Sequence, residues 1–284
     1  MRAIITRFAP APTGFLHLGH VVNMIYVWGV ARRLGGRVLL RIENHDRQRS
    51  RASYERAILD DLGWLGFAAD EPLVRQSGRD QIYRQALERL RAQRLVYACD
   101  CARAQPYPGT CRARAVADAD GISLRVRFDP MTIRFDDRRH GPQVQQPAAQ
   151  CGDMVIRDRE GNWTYQFAVT VDDMEQGITL IVRGDDLLES TGRQLQLARL
   201  LGRQTMPMFL HHSLIMKRGV SATAAAQKLS KSDRDTGVRD LRAAGWSAAR
   251  VIGHAAFSAG LIPESHDVGA DEVSSIIPTS EVDV

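Results

Sequence analysis

The opening forty-odd residues constrain the fold more than any other stretch of the chain. Residues 3–8 read as a buried strand, and residues 9–15 as a Pro/Gly-containing loop. Residues 17–34 read as a largely apolar helix that closes at Gly35-Gly36, and residues 37–43 as a second strand. A strand, loop, helix and parallel strand within this length is one half of a Rossmann-like nucleotide fold. Helices are expected over 53–65 and 80–93. Residues 95–165 break the rhythm with short apolar runs, prolines and three close cysteines, and read as an insertion between two halves. Regular patterning resumes with a strand at 178–182, a helix at 191–201 and a strand at 209–216. Short helices follow near 237–244 and 248–261.

The expected division is therefore 1–94 for the first half of an α/β catalytic domain, 95–165 for an inserted subdomain and 166–216 for the second half. Residues 217–284 hold a lysine-bearing loop, a short helical part and a tail beyond Ile262. That tail is polar and acidic with little periodicity, and is expected to be loosely held. At 284 residues with 44% hydrophobic and 25% charged content, the chain has the composition of a globular protein. No apolar run is long enough to span a membrane, and Met1 to Thr6 lacks the features of a secretory signal. A cytoplasmic monomer is expected.

Charge is informative through its distribution. The net charge of +5 permits a polyanionic partner. Of 38 Lys plus Arg only Lys217, Lys228 and Lys231 are lysines, and two of these lie in Lys228-Leu229-Ser230-Lys231-Ser232. Lysine is a compact mobile charge where arginine is a rigid fork, so the segment marks a place where an ammonium is needed; a solvated loop is the plainer alternative. At the other end, His17-Leu18-Gly19-His20 opens the first helix. A helix start presents N–H groups and partial positive charge to a phosphate. Imidazole N–H groups there can donate to phosphoryl oxygens, and Gly19 leaves room for a base or ribose; two polar caps are the alternative.

H-x-G-H on the first helix with K-x-S-K-S late in the chain resembles the class I aminoacyl-tRNA synthetases. Arg7-Phe8-Ala9-Pro10-Ala11-Pro12-Thr13-Gly14, Arg41-Ile42-Glu43-Asn44-His45-Asp46, Val171-Asp172-Asp173 and Val182-Arg183-Gly184 are similar to the glutamyl branch. The likeness runs from the first strand to about Leu261. It implies ATP, with Mg²⁺, as co-substrate and L-glutamate as the activated acid. His17, Gly19, His20, Lys228, Ser230 and Lys231 would hold ATP, with His17, His20, Lys228 and Lys231 catalytic. Arg7 and Arg183 would bind the glutamate carboxylates through paired hydrogen bonds, Tyr165 would donate its hydroxyl, and Glu43 would meet the ammonium. Ala9 and Ala11 complete the implied glutamate site. Without the resemblance, a structural ion pair between Arg7 and Glu43 on neighbouring strands is the alternative.

Cys99-Asp100-Cys101 and Cys111 can supply three corners of a tetrahedral zinc site. Spacing leaves the fourth open among Tyr107, Cys151, His140 and water, and leaves plain reduced thiols as an alternative. The Cys-x-Cys…Tyr-x-x-x-Cys order is similar to the short glutamyl-queuosine tRNA(Asp) synthetase family, which implies structural zinc on Cys99, Cys101, Tyr107 and Cys111. Cys151 is expected to be a small buried apolar residue. A full glutamyl-tRNA synthetase continues into anticodon-gripping helical domains, whereas this chain stops soon after Leu261. The resemblance then implies transfer of glutamate to queuosine in the anticodon stem-loop of tRNA(Asp). The competing readings are a divergent glutamyl-tRNA synthetase charging a 3′ end, a non-catalytic RNA-binding paralogue, and a small-molecule adenylating enzyme. The sequence departs from the family at Ala11, where Ser is usual, at Asn44, where Asp is usual, and in an Ala-rich run at 221–226.

Overall fold

Parallel pairing organises the first half. Strand β1 (Ile5–Phe8) lies alongside β2 (Arg37–Ile42), with Ile5 opposite Arg37 and Phe8 opposite Leu40. Helix α1 (Leu18–Arg33) crosses between them. Val21, Met24, Ile25, Val27, Val30 and Ala31 of α1 are all fully buried. A helix covered on every side needs apolar residues all round, which accounts for the absence of a polar stripe. The helix closes at Gly35, whose φ of +64° is a left-handed turn that suits glycine. Helix α2 (Ala52–Leu65) leads to β3 (Val74–Arg75), which pairs parallel with β2. Helix α3 (Asp80–Ala92) follows. This computed structural model describes residues 3–102, 106–215 and 237–282.

Residues 95–165 divide between two sheets. Strands β4 (Val96–Cys99), β5 (Ser123–Val126) and β8 (Met154–Arg157) form a separate antiparallel sheet. The hairpin of β6 (Ile133–Asp137) and β7 (Gly141–Gln145) does not join it. After helix α4 (Pro147–Cys151) and β8 come α5 (Tyr165–Glu175), β9 (Leu180–Gly184), α6 (Thr191–Leu200) and β10 (Met208–His212). Strand β10 runs parallel to β9 on one side and pairs with β6 on the other, Phe209 against Asp137. The expectation of a single inserted unit over 95–165 is thus corrected. The cause is alternation in β6: Ile133, Phe135 and Asp137 point inward, and Phe135 packs its ring 5.3 Å from that of Phe209.

Thr179 joins the two halves. Its N–H donates to the Ile5 carbonyl at 2.9 Å, and its hydroxyl accepts from the Ile5 N–H at 2.8 Å. Strand β9 therefore lies beside β1, and the chain winds outward from this pair in both directions. The crevice at such a switch point, beyond the carboxyl ends of the strands, is where open α/β sheets bind ligands.

The tail is also corrected. Helices α7 (Val238–Ala243) and α8 (Ala248–Ser258) are followed by residues 262–282, which pack on the main core. Val268, Val273, Ile277 and Val282 are buried there. A Cβ on Gly29 of α1 would come within 2.6 Å of the Ile277 side chain, so the two segments meet where only a hydrogen stands between them. Arg33 reaches Thr279 at 2.9 Å, and Arg139 reaches Glu281 at 2.9 Å. The tail lacks a helical or strand period because its apolar anchors sit in turns. Among the described residues no helix is long and apolar enough to cross a membrane.

Candidate active site

The loop after β1 carries Ala9 and Ala11, both half-buried, and is tied to the next strand: the Pro10 carbonyl accepts from the Glu43 N–H at 3.0 Å. His17 caps α1. Its Nδ1 accepts from the Gly19 N–H at 3.1 Å, and His20 Nδ1 accepts from the His17 N–H at 3.1 Å. The rings stand 4.0 Å apart. A neutral imidazole that accepts through Nδ1 carries its proton on Nε2, so both histidines have an Nε2–H donor. No acidic residue lies in the first turn, and the positive end of the helix keeps its pull on an anion. A Cβ on Gly19 would come within 2.9 Å of the His17 ring, which is the local need for glycine. Gly237 bridges to His17, and the Val238 N–H donates to the Leu16 carbonyl at 3.0 Å. Lys228, Ser230 and Lys231, with Lys217, lie outside the described residues.

The carboxyl ends of β1, β2 and β9 bring a second group together. Arg7, Arg41, Glu43, Asp173 and Arg183 are all buried. Asp173 Oδ1 accepts from Arg7 Nε at 2.9 Å and from Arg41 Nη1 at 2.8 Å, while Arg41 Nη2 donates to Glu43 Oε1 at 3.0 Å. Burial alone would raise the Asp173 carboxyl, but the two guanidiniums hold it at about 2. Burial pushes Glu43 up, against the pull of Arg41 and Arg7. Burial and then the Glu43 charge push the Tyr165 phenol up to about 12, with Arg183 and Arg7 opposing. Arg7, Glu43, Tyr165 and Arg183 thus share one electrostatic neighbourhood, rich in cations and holding carboxylates. The sequence reading missed Arg41 and Asp173 as parts of this site. The signal was present, since a charge at an inward position of an apolar strand or helix has to be matched.

Arg183 is held by the far half of the sheet. It donates through Nε to His211 Nε2 at 2.9 Å, through Nη1 to Gln194 Oε1 at 2.7 Å and through Nη2 to Thr191 Oγ1 at 2.9 Å. These partners were also missed, because nothing local in β10 or α6 announces them.

Cys99, at the end of β4, meets Cys101 and Cys111 with all three Sγ atoms within 4.8 Å of one another. Among the four candidates for a further ligand, Tyr107 is the side chain at the thiols. Its hydroxyl lies 3.4 Å from Cys99 Sγ and 3.9 Å from Cys101 Sγ. Cys151 bonds to the Pro147 carbonyl and His140 to Asp185, both apart from the cluster. Burial would raise the Cys99 thiol, but its hydrogen bond with Tyr107 and the one donated by Arg125 bring it to about 7. Tetrahedral zinc with bonds of about 2.3 Å to sulfur sets thiolates about 3.8 Å apart, so the cluster fits such an ion.

The family model for tRNA synthetases class I (E and Q), catalytic domain, matches residues 3–105 and 112–257. A Symbiobacterium thermophilum protein named Glutamyl-Q tRNA(Asp) synthetase is 38% identical, over 97% of this chain and 93% of its own. A Rhodobacter capsulatus protein of the same name is 38% identical, over 88% of this chain and 100% of its own. The crystal structure of a glutamate-tRNA synthetase from Elizabethkingia anophelis superposes with a TM-score of 0.81 at 25% identity, covering 99% of this chain and 67% of that one. That of a glutamate tRNA ligase from Elizabethkingia meningosepticum, in complex with its amino acid, gives the same TM-score and identity over 99% of this chain and 66% of that one. With a catalytic-domain match across most of its length, this chain belongs to the class I tRNA synthetases of the E and Q type, in the family of the glutamyl-Q tRNA(Asp) synthetases.

Proposed function

We propose that this chain activates L-glutamate with ATP and passes the glutamyl group to the queuosine base in the anticodon loop of tRNA(Asp). The observation that carries the activation step is the placement of a cation-rich acid pocket and a helix-start histidine pair at the carboxyl ends of neighbouring strands. A glutamate carboxylate oxygen attacks the α-phosphorus of ATP in line, the bond to the bridging oxygen breaks, and pyrophosphate leaves. The substrate supplies the nucleophile, so the protein's work is to position it and to stabilise charge. Arg7 and Arg183 face the two carboxylates, Tyr165 donates its hydroxyl, and Glu43 meets the ammonium. Ala9 and Ala11 line this end, and with Ala11 in place of serine one hydroxyl contact is lost. His17 and His20 present Nε2–H donors to phosphate oxygens as charge builds, with Gly19 against the nucleoside.

Lys228, Ser230 and Lys231 act on the same phosphates, borne by Mg²⁺-ATP. Lys231 stands six residues before Gly237, the residue that bridges His17, and this supports the assignment. Cys99, Cys101, Tyr107 and Cys111 would hold zinc, which when bound would tie the end of β4 to the segment that carries Tyr107 and Cys111. The choice of acceptor rests on the names of the relatives and on a chain with net charge +5.

Labelled glutamate supplied with ATP tests the proposal. It should enter tRNA(Asp) that carries queuosine and leave the unmodified transcript bare. Label on the 3′ end of the unmodified transcript would instead make this a tRNA-charging enzyme. Lys231→Ala should slow adenylate formation by about 100-fold or more while the fold is kept; an unchanged rate would remove the lysine from the mechanism.

A further inference from the structure

Three arginines are buried in the acid pocket, and they are not matched alike. Arg7 has Asp173, and Arg41 has Glu43, Asp172 and Asp173. Arg183, although 3% exposed, has no carboxylate oxygen within 4.0 Å among the described residues. Its three acceptors, His211, Gln194 and Thr191, are neutral and themselves buried. A carboxylate does stand nearby, one ring further out. Asp137 Oδ2 lies 2.7 Å from His211 Nδ1 and accepts from the His211 backbone N–H at 3.1 Å. The Asp137 carboxylate is itself pinned by the N–H groups of Arg139 and His140, each at 3.1 Å. With Nε2 accepting from Arg183, the ring carries its proton on Nδ1 and donates it to Asp137.

We propose that His211, locked by Asp137, is a positioning residue that aims Arg183 at a carboxylate of the amino-acid substrate and keeps the protein's own carboxylate from neutralising it. The inference rests on the glutamate-activating reading and deepens it. A carboxylate in direct contact would occupy the guanidinium and cancel its charge. Interposing a neutral imidazole keeps the orienting hydrogen bond and moves the negative charge outward, where its attraction falls with distance. The β6–β7 hairpin acquires a purpose on this account. It delivers Asp137 beneath His211, and its Gln145 Oε1 accepts the Gly192 N–H at 2.7 Å beside Thr191. Both ends of the acceptor set around Arg183 are thereby braced from one segment.

The test compares His211→Gln, whose amide can accept from Arg183 and donate to Asp137, with His211→Leu, which can do neither, and His211→Glu, which sets a carboxylate on Arg183. The reading is KM for glutamate and KM for ATP in tRNA-free pyrophosphate exchange, beside the melting temperature. His211→Leu and His211→Glu should raise the glutamate KM about 10- to 100-fold with the ATP KM within about twofold, and His211→Gln should return to within about threefold of the wild type. A glutamate KM unmoved in His211→Leu overturns the inference alone. So does a parallel change of both KM values and of melting in the Gln and Leu variants, the mark of a purely structural residue. A wild type silent with glutamate removes the function reading and this inference with it. Nitrogen-15 NMR of the histidine rings, with His211 assigned by its loss in the Gln variant, covers the case in which His211→Leu fails to fold. The ring should be neutral with its proton on Nδ1; a proton on Nε2 contradicts the arrangement.

Discussion

His17, Gly19 and His20 come together within one helical turn, whereas the acid pocket is gathered from distant strands, Arg7 reaching the Val182 carbonyl across 175 residues of chain. The histidines are half-buried, and their orientation comes from bonds to backbone N–H groups one turn away. The pocket's charges are buried and fix one another: Asp173 serves two guanidiniums, and one of these also serves Glu43. The phosphate end is therefore separable from the fold, and the acid end is part of what holds the fold together. A donor removed from the first should cost chemistry, while a charge stripped from the second strands its partners in a low-dielectric interior.

Substitution at the pocket should produce the largest effect. Asp173→Ala leaves Arg7 and Arg41 without their shared carboxylate and should cost about 3–5 kcal/mol in urea denaturation. The sign of the pH dependence follows from a carboxyl held at about 2 in the folded protein. Its stabilisation is complete above the unfolded value of about 3.9 and is lost as pH falls towards 2. Asp173→Asn should lose stability less steeply than the wild type across that window, and equal slopes in the two proteins would contradict the pairing.

At the helix start the balance reverses. His20→Ala should slow adenylate formation by about 100-fold or more yet cost no more than about 1 kcal/mol of stability, the size of a lost cap bond. A large loss of stability there would erase the contrast between the two regions. The tail sides with the pocket in being structural. Gly29→Ala drives a methyl group at Ile277, which should cost about 1–3 kcal/mol as overpacking, with glutamate and ATP KM values unmoved. Full stability in that variant would detach the tail from α1. Tyr165→Phe should produce the smallest change, a glutamate KM raised by about 3- to 10-fold, as befits one neutral hydrogen bond. Because the phenol is pushed up to about 12, it stays protonated across the working range, and the wild-type glutamate KM should show no loss from phenol ionisation below that value.

The same contrast governs what is legible in the sequence alone. The strand–helix–strand opening and the paired histidines were legible because the periodicity, the turn glycines and the cap all lie within short windows. The β6–β7 hairpin was not, since Asp137 finds its place only when Phe209, far along the chain, arrives beside it. Val268, Val273 and Ile277 sit among polar residues with no regular period, and their burial depends on a groove formed by α1 and α8. Arg7, Glu43, Tyr165 and Arg183 were proposed by resemblance, but their supports were not: Arg41 finds Asp173 on α5, and His211 finds Arg183 on β9. The cysteines stood out by spacing, and three-dimensional proximity singles out Tyr107 over His140 and Cys151.

In the proposed function an acid pocket for glutamate faces an ATP site at a helix start. Exchange of labelled pyrophosphate into ATP, with the purified full chain, Mg²⁺ and no RNA, tests it most directly. L-glutamate should drive exchange, L-glutamine or L-aspartate should drive little, and Arg183→Ala should abolish it. Exchange driven equally by an unrelated carboxylic acid, or absent with glutamate while ATP still binds, would contradict the proposed function.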